Sequence, residues 1–153
     1  MSQELNEGLL HSKQSLRKIA LTVKEECLRI LDFNDQYEMN GLCTIGLEKL
    51  MERVYHVVGK EQFLKYVHTV TFNTSLTPPT HYVAVIGGKS SWEDAASLFV
   101  RGIKIDPTIG QFDTAIEEVV FGSEDQYPLP IIEGTIRYDT MIKPYFLPRL
   151  FSK

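Results

Sequence analysis

Three residues have the types and the order that acyl-transfer chemistry on a thiol requires: Cys43, His81 and Asp106. In such chemistry a thiolate attacks, an imidazole carries the proton, and a carboxylate holds the imidazole in its working tautomer. Cys43 follows Glu38, Met39, Asn40, Gly41 and Leu42 and opens a stretch of helical apolar spacing. Unpaired backbone N–H groups and the helix dipole at such a start favour the negative thiolate. His81 comes directly after Pro78, Pro79 and Thr80, where a rigid turn aims a ring at the edge of a sheet. Asp106 closes the run Ile103, Lys104, Ile105 and precedes Pro107, so its carboxyl emerges where the chain turns. If these two runs are neighbouring strands, Asp106 accepts the second ring N–H of His81 and fixes the orientation of the imidazole.

Each residue also has an ordinary structural use. Cys43 shares a helical face with Leu47, the placement of a core residue. A histidine opening a strand often bonds to backbone, and an aspartate before proline often starts a turn. An oxyanion would need a donor. The Cys43 backbone N–H is the first candidate, with the Gln36 and Asn40 side chains as further ones that equally suit a plain loop. Cys27 lies inside a helical stripe and reads as a small core hydrophobe.

The elements that must position these groups follow from periodicity. Leu16, Ile19, Ala20, Val23, Cys27, Ile30 and Leu31 recur at three and four and predict an amphipathic helix. After a polar break over 32–41, Cys43, Leu47, Leu50, Met51, Val54, Val57 and Val58 predict a second, ended by Gly59, with a short third over KEQFLKYV. Strands are expected over 69–72, in THYVAVI at 80–86, in GIKI at 102–105, and within EEVVFG and PIIEGTIRY. Residues 90–100 read either as a helix capped by Ser90 or Ser91 or as a hairpin excursion. The tail from Met141 reads as a proline-interrupted aromatic end wrapping the body. Helices first and strands afterwards predict one α+β domain over 1–153, with N-terminal helices packed on an antiparallel sheet.

Composition bounds the partners. At 153 residues, 43% apolar and 24% charged, the chain is long enough for one core and contains no apolar run that would span a bilayer. Its net charge is -4 and its basic residues are scattered, so neither nucleic acid nor a membrane is an expected partner; the oligomeric state is left open. MSQELNEGLL carries acidic residues where an export signal has basic ones, and two cysteines form no C-x-x-C spacing. The expected location is therefore cytoplasmic, or inside a host or target cell after delivery by a non-classical route. V-I-G-G-K-S-S fails as a phosphate loop, because its first glycine would fall at Val83. His11, His56 and His68 lack ligand spacing, and no metal is expected. Glu117 with Glu118, and Glu124 with Asp125, read as solvated acidic residues rather than paired catalytic carboxylates.

Through N-G-L-C at 40–43, T-H-Y-V-A-V-I at 80–86 and I-D-P-T-I-G-Q-F at 105–112, the sequence resembles the papain-like and transglutaminase-like cysteine enzyme superfamily. The resemblance covers roughly residues 36 to 112. It implies a papain-like or transglutaminase-like core in which a helix-borne Cys43 packs against a sheet bearing His81 and Asp106, with no cofactor. Gln36 resembles the glutamine that papain relatives place before the nucleophile. The implied activity is that of a cysteine-dependent amide hydrolase or acyl-transferase on a protein or peptide amide. A glutamine deamidase or transglutaminase-type toxin or effector domain is expected first and a cysteine peptidase second. The reading from another class is a non-catalytic immunity or adaptor domain.

Overall fold

The computed structural model describes residues 10, 12–30, 42–76, 79–90, 92–112 and 116–152, with Ile30, Leu42, Cys43 and Gln111 described by backbone alone. Helix α1, Lys13–Ile30, buries Leu16, Ala20, Val23 and Cys27, the apolar stripe its spacing predicts. Ser12 precedes it, and its hydroxyl accepts from the Ser15 N–H at 3.2 Å, the bond of an N-cap. Helix α2, Leu42–Tyr66, is broken at Gly59, whose φ of 85° and ψ of 170° lie outside the helical region. Its buried residues include Leu47, Leu50, Met51, Val54, Val58 and, beyond the break, Phe63.

The sheet contains β1, Val67–Asn73; β2, Thr80–Ile86; β3, Ile103–Ile105; β4, Val120–Phe121; and β5, Arg137–Tyr138. Its order is β4-β3-β2-β1-β5, and every pairing is antiparallel. Strand β2 is therefore central, with Phe72 of β1 opposite His81 and Ile105 of β3 opposite Ala84. The α+β class holds: among the described residues there are four α-helices and one antiparallel sheet. Both N-terminal helices pack on it, α1 against β3 and β4, and α2 against β1 and β2.

Three expectations are corrected or narrowed. Between β2 and β3 the chain forms a helix, α3, Ala95–Arg101, not a hairpin excursion. Its cap is Asp94, whose carboxylate accepts from the Ser97 N–H at 2.7 Å; Ser90 is too far upstream to do so, and Ser91 lies outside the described residues. Gly102 ends it where a Cβ would sit 2.5 Å from Val85 Cγ1 and 2.9 Å from two carbonyl oxygens, so only glycine lets α3 drop onto β2. The tail is a helix too: α4, Ile142–Phe151, buries Ile142, Phe146 and Leu150 along one face. Asp139 makes it possible, accepting the N–H groups of Met141, Ile142 and Lys143, each at 2.8 Å. Pro144 falls in the first turn, where no intrahelical N–H is needed, and Pro148 is carried inside the helix by packing. EEVVFG and PIIEGTIRY supply only the short β4 and β5, plus a bridge between Thr74 and Ile131. No helix among the described residues is long and apolar enough to cross a membrane.

Candidate functional site

Two of the three chemistry-bearing residues meet. Antiparallel pairing of β2 with β3 brings Asp106, the residue after β3, beside the strand that begins at Thr80. His81 Nε2 lies 2.8 Å from Asp106 Oδ2, with the two side chains 0% and 1% exposed. A carboxylate only accepts, so Nε2 carries the proton in this bond and the neutral ring has its basic lone pair on Nδ1. The backbone of both residues is fixed as well: the His81 carbonyl accepts from Thr71 Oγ1 at 2.8 Å, and the Asp106 N–H donates to the Val119 carbonyl at 2.8 Å.

The second bond to Asp106 comes from a residue the sequence reading did not single out. Tyr127 Oη donates to the same Oδ2 at 2.6 Å. Burial, and then the negative charge of Asp106, push the Tyr127 phenol well above 10.0, so it stays a donor throughout the neutral range. Oδ1 of Asp106 is buried and has no hydrogen-bond partner among the described residues. Both bonds therefore fall on one carboxylate oxygen, which sets the direction of the imidazole.

Aromatic rings enclose this pair. His81 meets Phe112 edge-on at 4.8 Å between centroids and Phe72 at 5.8 Å. Tyr127 packs edge-on against Phe72, Phe99 of α3 and Phe121 of β4. A low-polarity surround strengthens the charged hydrogen bonds inside it and excludes water from competing. Phe112 belongs to the I-D-P-T-I-G-Q-F run, where its position after a turn gives no periodic hint of this contact.

The nucleophile candidate is reached only in part. Cys43 is the second residue of α2, as a helix-start thiol should be, but its side chain lies outside the described residues, as do Gln36 and Asn40. What is described is the turn that follows. A Cβ on Gly46 would stand 2.5 Å from Thr108 Cγ2 and 3.7 Å from Pro107 Cγ, so the first turns of α2 press directly on the loop after Asp106. A glycine inside a helical period is the one sequence signal that marks such a close approach. Cys27 is the other thiol: it is buried against this same turn, and burial pushes its pKa up, the property of an inert core cysteine. Glu118 is committed elsewhere, accepting from the Val119 and Val120 N–H groups and from Arg17. Compared with family models, with curated proteins and with solved structures, the chain finds no match, and the site is read from its own geometry.

Proposed function

We propose that the protein is a cysteine-dependent amide hydrolase or acyl-transferase in which Cys43 is the nucleophile, His81 the proton carrier and Asp106 the group that orients His81. The observation that carries the reading is the buried 2.8 Å bond from His81 Nε2 to Asp106 Oδ2, which leaves Nδ1 as the basic atom. In the reaction Nδ1 takes the thiol proton, and the thiolate adds to the amide carbon. The imidazolium then returns the proton to the departing nitrogen, so the C–N bond breaks, ammonia or an amine leaves, and a thioester remains. Water or a second amine releases the acyl group. A side-chain amide such as that of a protein glutamine needs only a narrow slot, whereas an extended peptide needs a long cleft. A toxin or effector domain that deamidates or transamidates a target protein is the fuller form of the proposal, and a cysteine peptidase its near neighbour.

A second reading is favoured by the full burial of His81 and Asp106 and by the rings of Phe72 and Phe112 against the imidazole. In it the pair is a polar tie inside the core of a non-catalytic binding domain. The rate of iodoacetamide labelling at Cys43 against pH separates the two, with Cys27 as the internal slow control. Labelling that is fast near pH 6 and slows in a folded His81→Gln variant supports the enzyme. Slow labelling indifferent to His81 sinks it and leaves the binding domain.

A further inference from the structure

Beyond the last residue of β2, at the opposite end of that strand from His81, lies a hollow of about 430 Å³ lined by Lys65, Gly88, Lys89, Ser90, Glu93 and Arg101. Its charge runs against that of the chain, whose net value is -4. Glu93 is the one carboxylate in the lining, and it is already committed: Arg101 Nη2 holds its two oxygens at 2.8 and 2.7 Å. Lys65 and Lys89 rest over the rings of Tyr66 and Tyr138, at 5.2 and 4.2 Å, and neither has a carboxylate partner among the described residues. Behind them Lys143 donates to the Val67 carbonyl, and burial with the neighbouring Lys89 lowers it to about 8. Positive charge is thus in surplus here, with Glu93 turned to Arg101 and Asp139 beside Lys143 as the opposing carboxylates, and that surplus favours a bound anion.

The backbone adds donors of its own. The Gly87 N–H is used by the Tyr66 carbonyl and the Ser90 N–H by the Glu93 carboxylate, but those of Gly88 and Lys89 have no hydrogen-bond partner among the described residues. Two successive unpaired N–H groups beside two lysines and the Ser90 hydroxyl suit a compact, multiply accepting anion. We propose that this hollow binds a phosphate-type oxyanion, with the Lys65 and Lys89 ammonium groups and the Gly88 and Lys89 backbone N–H groups as its donors. It does so without the helix-borne cradle of a phosphate loop, since α3 begins only at Ala95. The volume admits a phosphate with a small organic group attached, so the source is either a free phosphate or a phosphomonoester.

Amide spectra of the whole chain, titrated with inorganic phosphate and separately with phenyl phosphate against sodium chloride at matched ionic strength, test this. The expected result is saturable shifts at Gly88 and Lys89, at least tenfold weaker binding in Lys65→Gln/Lys89→Gln, and no loss of fold, because both lysines are exposed. Tighter binding of phenyl phosphate identifies a phosphomonoester as the source, and equal binding identifies the free ion. Shifts that match those in chloride, that fall elsewhere, or that survive unchanged in the double variant overturn the site. The Cys43 labelling experiment has no bearing on any of these outcomes.

Discussion

Replacing Tyr127 by phenylalanine removes one oxygen from a buried aromatic cluster and tests whether Asp106 is held as described. The lost bond is 2.6 Å long and ends on a carboxylate that has His81 as its other partner and one oxygen already without any. A hydrogen bond to a charged group is worth about 1.5–3 kcal/mol, so Tyr127→Phe should lose roughly that much. For a domain of this size each kcal/mol is about 2–4 °C in Tm, which gives a fall of about 3–12 °C. Tyr138→Phe is the control, since its hydroxyl donates to the neutral, part-buried Glu93 carbonyl at 2.8 Å and should cost about 0.5–1.5 kcal/mol. The pH dependence carries a second signature. The folded Tyr127 phenol titrates above its unfolded value of 10.0, so its contribution is complete below pH 10 and is lost as pH rises further. The phenylalanine variant should lack that alkaline decline. Urea unfolding at pH 7 and pH 10.5 measures both effects. A Tyr127→Phe protein that melts within a degree of the parent, or no lower than Tyr138→Phe, would refute the account of the site.

Two further expectations follow from local geometry. Gly46→Ala drives a Cβ to 2.5 Å from Thr108 Cγ2, an overpacking cost of about 1–3 kcal/mol that outweighs the helix-propensity gain, and Thr108→Ser in the same chain should restore most of the loss by deleting that methyl. Equal melting of the single and double variants would show that α2 does not press on this loop. His68, bonded to the Gly87 carbonyl at 3.0 Å, is lowered to about 4 by burial and by Lys143. Its unfolded form takes up a proton near 6.5 while the folded form does not, so stability falls as pH drops from about 6.5 to 4. His68→Gln should flatten that part of the acid-unfolding curve.

The parts of the fold legible in the sequence are those whose period is local. The Leu16 to Cys27 stripe and the alternating, β-branched 80–86 run each name their element without help from the rest of the chain. The meeting of His81 with Asp106 was legible only as a condition: it follows if the strand before Asp106 neighbours the one that begins at Thr80, and the direction of that pairing, across a connection that contains α3, has no local signal. The helix α4 was hidden by Pro144 and Pro148, which argue locally against a helix that Asp139 and the burial of Ile142, Phe146 and Leu150 sustain. The cap of α3 was misplaced because Ser90, Ser91 and Asp94 are all competent acceptors, and only the docking of Leu98 and Phe99 selects the register. Tyr127 could not be foreseen: it sits in irregular chain, and its role exists only once Asp106 is folded beneath it. Gly46 carried a signal, a glycine where alanine would make a better helix.

Asp139 also bears on how the molecule comes apart and together. Its carboxylate ties the start of α4 to Thr69 Oγ1 of β1 at 2.8 Å, and its N–H donates to the Thr69 carbonyl at 3.0 Å, joining segments 70 positions apart. Undocking α4 would leave a nearly buried carboxylate without its N–H donors, so fraying of that helix is coupled to the edge of the sheet. Hydrogen exchange should therefore show α4 and the β1 edge opening as one unit. In vectorial synthesis β1 and β2 emerge well before this tie exists, and β1 waits with an unpaired edge until residues 137–143 arrive, the interval in which the growing chain is most exposed to wrong strand partners.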